Sequence, residues 1–301
     1  MKKNQTLYAA GTLVVLAVLY FLTQTGTVDT KTIDVDVLAF DKGDVAAVEL
    51  SGKEGVLAFS MKGDHWELEN YPVDSVRIKQ LLDLFSELKV DRLITQNPEK
   101  HAKYEVPEDG TRLLIKTSDG KGVLDLLIGK QGANFQETFV REYDQDEVYA
   151  VKSSLGQYKS RGQDYFWERS MTHLDVNAIN GLDLSGEFDY SLKREGPTWK
   201  FNGEEVDTEK VLDLLRPLGN LKASNFSDEI TSENTFYQSM VISLQGGDQI
   251  EMQFYLKEPS GALALVNVSD NDKIFEYSKA GLNRFNKKPA DLKADPPPES
   301  S

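Results

Sequence analysis

The chain has 301 residues, no cysteine and a formal charge of −15 at pH 7. Without cysteine it forms no disulfide, no thiolate metal site, no cysteine nucleophile and no lipidated cysteine anchor. The acidity argues against nucleic acid and against anionic lipid headgroups as partners, and by itself serves solubility.

Residues 1–28 read as a membrane anchor. Lys2 and Lys3 precede Leu7–Leu22, sixteen residues without a charge, and Thr6 and Thr23 extend the uncharged run to eighteen. At about 1.5 Å per residue these span roughly 27 Å, close to the hydrocarbon thickness of a bilayer. Tyr8 and Tyr20 suit the two interfacial belts. A cleaved signal peptide is the competing reading. It calls for an A-x-A-like site, and the chain instead continues Thr23-Gln24-Thr25-Gly26-Thr27. The flanks set the orientation. Both cations lie before the run, and Asp29, Asp34 and Asp36 follow it with only Lys31 between them. The positive-inside rule keeps the N-terminus in the cytoplasm and exports the rest. Residues 1–28 carry +2, so the exported part carries −17.

Residues 29–44 read as a polar tether. Short alternating strands follow at Val45–Leu50 and Val56–Met61, then a turn at Gly63-Asp64 and a strand from Trp66. Asp74 is placed as an N-cap, and Ile78, Leu81, Leu82, Phe85 and Leu88 recur on one helical face.

This stretch occurs twice. Residues 63–89 shifted by 133 positions fall on 196–222 with eight identities in 27 ungapped positions, among them Gly63/Gly196, Trp66/Trp199 and Asp74/Asp207. The helical face repeats as Val211, Leu214, Leu215, Leu218 and Leu221. Pro217 replaces Leu84, which predicts a kink or an end to the second helix near Arg216. Further on, Tyr104 pairs with Tyr237, Leu113–Gly120 with Met240–Gly247, Val123–Ile128 with Ile250–Tyr255, and Asp146–Tyr149 with Asp272–Phe275. Each unit reads as strand, strand, helix, three or four strands, then a short helix near Leu155–Tyr158 or Leu282–Phe285. The expectation is an α+β fold: a transmembrane helix, then two tandem copies of an antiparallel sheet with one covering helix. The units are 45–160 and 179–288, joined by 161–178. Residues 289–301, rich in proline and charge, read as a disordered tail.

With an N-terminal anchor, the Trp66 strand, the segment YPVDSVRIKQLLDLFSELKV and the segment VYAVKSSLGQYKSRGQDYFWERS, the chain resembles a family of single-pass bacterial membrane proteins described only as a domain of unknown function. Its members are commonly encoded beside ABC transporter genes of the gliding-motility type. The resemblance covers most of 1–286. It implies a membrane location and a transporter partner, and it carries no catalytic residues.

No reaction is legible. His65, His101 and His173 form no H-x-x-x-H pair. The acidic runs Asp144-Gln145-Asp146-Glu147 and Asp270-Asn271-Asp272 lack the glycine and glutamate of a calcium loop and read as solvated turns. No phosphate loop or nucleophile elbow is present, so ATP hydrolysis in any ATP-driven assembly falls to another subunit. Trp66 and Trp199 occupy matching places and read as core. Tyr165-Phe166-Trp167 is a dense aromatic cluster in the junction, either a wedge between the units or a patch for a partner. The sequence thus favours a non-catalytic protein without cofactor or metal. It would sit in the bacterial inner membrane through residues 7–22, with its bulk in the periplasm, and assist an ABC-type permease or a companion envelope subunit. The alternative is a stand-alone envelope module that binds a glycan or peptide.

Overall fold

A computed structural model describes residue 38 and residues 40–294, apart from 134, 259 and 260. The expected anchor at 1–28, with its bilayer contact through 7–22, and residues 29–37 and 39 of the tether lie outside the described residues. Among these residues no helix is long and apolar enough to cross a membrane.

The first half lays down β1 (Val45–Gly52), β2 (Gly55–Lys62), β3 (His65–Leu68), β4 (Tyr71–Pro72), helix α1 (Ser75–Ser86) and β5 (Val90–Thr95). Helix α2 (His101–Tyr104) and strands β6 (Thr111–Thr117), β7 (Gly122–Gln131), β8 (Thr138–Glu142) and β9 (Val148–Val151) follow. After α3 (Gln163–Phe166) come β10 (Ile179–Gly186), β11 (Tyr190–Glu195), β12 (Thr198–Phe201), β13 (Glu204–Val206) and α4 (Thr208–Leu215). The chain continues with β14 (Asn225–Ser227), β15 (Thr235–Leu244), β16 (Gln249–Leu256), β17 (Leu263–Val268), β18 (Ile274–Ser278) and α5 (Lys279–Asn283).

The strands form two nine-stranded antiparallel sheets. The orders are β4-β3-β2-β1-β6-β7-β8-β9-β5 and β13-β12-β11-β10-β15-β16-β17-β18-β14. Adding nine to each label turns the first order into the second, so the internal repeat is a repeat of topology. The class is α+β with strand predominating. Four strands precede each helix: the expected pair and the strand from Trp66 are joined by β4/β13, which at two and three residues are too short to show an alternating pattern. Compactness divides the chain differently from the repeat. One unit ends at Val56 and resumes as Leu81–Ser160, and the other joins Leu57–Gln80 to the chain from Arg161 onward.

Local chemistry explains the matched elements. Gly63 and Gly196 turn the chain at φ 65° and 62°, a left-handed conformation that glycine adopts without steric cost. Asp74 Oδ1 accepts from the amides of Val76 (3.0 Å) and Arg77 (3.2 Å), and Asp207 accepts from Lys210 (3.0 Å). Both are N-caps. All ten residues of the two expected helical faces are buried, as are Trp66 (8% exposed) and Trp199 (1%). Pro217 acts as its chemistry requires. Lacking an amide hydrogen, it closes α4 at Leu215, and a 3₁₀ turn over Arg216–Asn220 carries Leu218 into the core. Leu215→Ala and Leu82→Ala should therefore each lower the unfolding free energy by about 2–5 kcal/mol in urea titrations.

Two sequence pairings and the expected tail need correction. Tyr104 closes α2, whereas Tyr237 lies in β15, so the two are not counterparts. The first copy spends residues 96–110 between β5 and β6, and the second spends only 228–234 between β14 and β15. Val123–Ile128 is one residue out of step with Ile250–Tyr255. Leu113 faces Leu126 and Met240 faces Met252, which makes Leu124 the counterpart of Ile250. A bulge at Ile115/Lys116 passes over Val123, and a one-residue slip moves every side chain to the other face. The start of the expected tail is ordered. Pro289–Leu292 forms a 3₁₀ turn, the Leu292 side chain is buried, and its carbonyl accepts from the Asp207 amide at 2.8 Å. One apolar residue suffices to dock what composition marked as tail.

Burial also sets an alkaline limit. Tyr190 is buried, its hydroxyl donates to the Phe285 carbonyl at 2.7 Å, and burial pushes its pKa far above the usual tyrosine value. An unfolded tyrosine ionises near pH 10 while the folded one holds its proton. The unfolded state then binds fewer protons, so this contribution is complete below about pH 10 and is lost as pH rises toward the folded pKa. Urea midpoints should fall above about pH 10, and Tyr190→Phe should flatten that fall.

Candidate functional site

The aromatic junction Tyr165-Phe166-Trp167 lies in the compact unit that contains Leu57–Gln80 and the chain from Arg161. Gly162 enters α3 in an extended conformation, and the helix lasts only four residues before Trp167 leaves it extended. The change of conformation sends the three rings in different directions. Phe166 is fully buried, edge-on to Phe59 at 4.8 Å, and its carbonyl accepts from the Asp74 amide at 2.7 Å. Trp167, 8% exposed, pairs with Val73 in an isolated bridge, and its indole N–H donates to the Leu68 carbonyl at 3.2 Å. Its ring meets Tyr71 at 5.1 Å and Phe226 at 5.5 Å, both edge-on. Tyr165 is half-buried, with the guanidinium groups of Arg77 and Arg161 4.3 and 3.9 Å from its ring centre, and its carbonyl accepts from Arg77. Two of the three rings are thus spent on packing, and the one indole donor is satisfied. The exposed part of the cluster is a tyrosine flanked by two cations.

The histidines stand apart. His65 is exposed beside Asp64 (3.3 Å) and Glu67 (3.4 Å), and hydrogen bonds to Asp64 first and Glu67 second raise its pKa. A His101 ring nitrogen lies 3.0 Å from the Asp146 carbonyl, and His173 is exposed. The two acidic runs close on themselves as turns: the Gln145 amide donates to Glu142, and the Lys273 amide to Asn271 Oδ1. Among the described residues no three His, Asp or Glu side chains are grouped to hold a metal.

A feature that the sequence reading missed lies on the outer face of the first sheet. Leu127 of β7, Arg141 of β8 and Val148 of β9 form one cross-strand row, and all three are buried. Segment 96–110, which the second copy lacks, covers them. Val106 packs on Leu127 and Val148, and Ile94, Tyr104, Phe139 and Tyr143 close the cluster. Arg141 is 3% exposed, and its guanidinium donates to the carbonyls of Val106 (3.0 Å), Tyr143 (2.9 Å) and Gln145 (2.6 Å). Gly129 lets the segment approach, because a Cβ there would collide with the carbonyl oxygens of Tyr104 and Phe139. The matching row in the second sheet pairs Gln253 with Asn267, half-buried and exposed. The signal was present in the sequence: Leu124–Ile128 (LDLLI) has three consecutive apolar residues where a one-faced strand would alternate.

Segment 96–110 also walls a cavity of about 390 Å³, bounded further by the β1–β2 turn and by Lys159. Lys159 Nζ bonds Glu105 Oε2 at 2.8 Å and lies 3.4 Å from the Gly129 carbonyl oxygen. Glu105 caps α2 in the left-handed conformation at φ 58°.

No curated protein and no solved structure matches the chain significantly. The sequence model of one family does match, over residues 66–237, from the Trp66 strand to β15. That is more than half of the chain, and the protein belongs to the family described as a domain of unknown function, DUF4340.

Proposed function

We propose that the protein is a membrane-anchored, extracytoplasmic and non-catalytic accessory module of an ABC-type transport complex, docked on its permease or on a companion envelope subunit. The observation that carries this reading is the uncharged run Leu7–Leu22 behind Lys2 and Lys3, which fits a single-pass inner-membrane anchor with the bulk in the periplasm. The rest of the chain supports it. One sheet topology used twice presents extended surface, and among the described residues no group of His, Asp or Glu side chains competes for a catalytic role. The implied transporter partner comes from the family resemblance. In this reading the protein needs no cofactor, and a separate subunit hydrolyses ATP.

Full-length protein tagged after Ser301, extracted in mild detergent and cross-linked, should bring down a permease and its ATPase when the complex is read by mass spectrometry. An export reporter at the same place should be active and membrane-bound. Release of mature protein in soluble form would refute the anchor. A membrane-bound protein that captures no transporter subunit but retains envelope glycan or peptide would favour the stand-alone binding module.

A further inference from the structure

We infer that the cavity under segment 96–110 is a binding site for a short zwitterionic ligand of the amino-acid or dipeptide class. Three observations converge on it. The first is its origin: the cavity is walled by the segment that distinguishes the first copy from the second. Its volume, about 390 Å³, lies within the range of roughly 300–1,000 Å³ typical of small-ligand sites.

The second is its charge. Lys53 and Glu54 form the β1–β2 turn at one wall, and Glu105, Asp109 and Thr111 line another, with Lys159 between. The corresponding β10–β11 turn in the second copy is Glu187-Phe188-Asp189, without a cation. Glu105 shows how closely the positive charges gather. The hydrogen bond from Lys159 holds its carboxyl below the usual range, with Lys130 and Lys53 adding to the effect at longer reach. In a chain of charge −15, the cavity gathers two ammonium groups, Lys53 and Lys159, beside the carboxylates of Glu54, Glu105 and Asp109.

The third is availability. Lys159 and Glu105 satisfy each other, whereas the side chains of Lys53, Glu54 and Asp109 make no hydrogen bond or ion pair with the described residues. A ligand carboxylate would meet Lys53 beside the fixed Lys159, and a ligand ammonium would meet Asp109 and Glu54. Thr111 offers a hydroxyl that can donate or accept. A packed supporting shell lies behind these walls: Gly129 permits close docking of the segment, and buried Arg141 donates to the carbonyl of Val106. The inference does not depend on the anchor or on a transporter partner.

The test is calorimetric titration of the full chain in detergent with alanyl-alanine, beside its N-acetylated and C-amidated forms. The expected result is saturable one-to-one binding of the free dipeptide, weakened at least tenfold by either blocking group. Lys53→Gln and Asp109→Asn should each weaken it at least fivefold without shifting the melting temperature. Lys200→Gln, on the second sheet, should change nothing. Equal binding of the N-acetylated form would mean that only an anion is read, and equal binding of the C-amidated form that only a cation is read. Either result would overturn the inference, as would no binding at millimolar dipeptide, or binding unchanged in both cavity variants.

Discussion

Trp167→Ala should lower the unfolding free energy by about 3–5 kcal/mol, the cost typical of deleting a buried indole. The residue is 8% exposed, and its ring sits between Tyr71 and Phe226. Edge-on aromatic pairs add roughly 0.5–1.5 kcal/mol beyond the area that they bury. Truncation also strips the Leu68 carbonyl of its donor at 3.2 Å. Phe226 in turn stacks on Tyr71 at 4.4 Å and tilts against Phe275 at 5.2 Å, so the void opens in a network with little slack. Trp167→Phe separates the components: it keeps most of the volume, loses the N–H, and should cost about 1–2 kcal/mol. Urea titration of both variants measures the difference. A melting temperature unchanged by Trp167→Ala, together with loss of a co-purifying transporter subunit, would instead make the junction the binding surface.

What was legible depended on how local its cause was. The Asp74 and Asp207 caps, the two helical faces and the stop at Pro217 each follow from a few neighbouring residues, and all appear where the sequence places them. The repeat was visible for the same reason, since an ungapped window preserves both letters and faces. Register was less legible. The bulge that passes over Val123 adds one residue to one strand, and no letter marks it. The pairing of Tyr104 with Tyr237 fails because segment 96–110 makes the first copy longer than the second between the fifth and sixth strands, a difference that no local residue pattern marks. Arg141 was the least legible. A lone arginine in a strand is expected to be exposed, and its burial depends on a lid that closes from 35 residues away. The cavity shares this cause, because its walls come from the β1–β2 turn, segment 96–110 and Lys159, which only the fold brings together.

Arg141→Met should also be costly, by about 2–4 kcal/mol, and here two large effects oppose each other. Burying a guanidinium without a carboxylate carries a desolvation penalty, and replacing buried ionic groups with apolar ones often stabilises a protein. On that account alone methionine would be an improvement. The opposing term is the set of carbonyls that the guanidinium serves. A buried acceptor that loses its donor costs about 1–3 kcal/mol. The carbonyls of Tyr143 and Gln145 belong to a partly exposed turn, where water can replace the arginine. Val106 is fully buried beneath its own segment, and water cannot reach its carbonyl without lifting that segment off Leu127 and Val148. The loss should therefore be regional as well as global. Amide hydrogen exchange over 101–110 should accelerate far more than exchange in β15 or β16, whose matching face carries only Gln253 and Asn267. Arg141→Lys should recover little, since one ammonium cannot reproduce the fork that reaches three carbonyls. A neutral or stabilising Arg141→Met with unchanged exchange over 101–110 would show that desolvation outweighs the hydrogen bonds. Apolar packing of Val106 and the clearance at Gly129 would then be sufficient to hold the segment down.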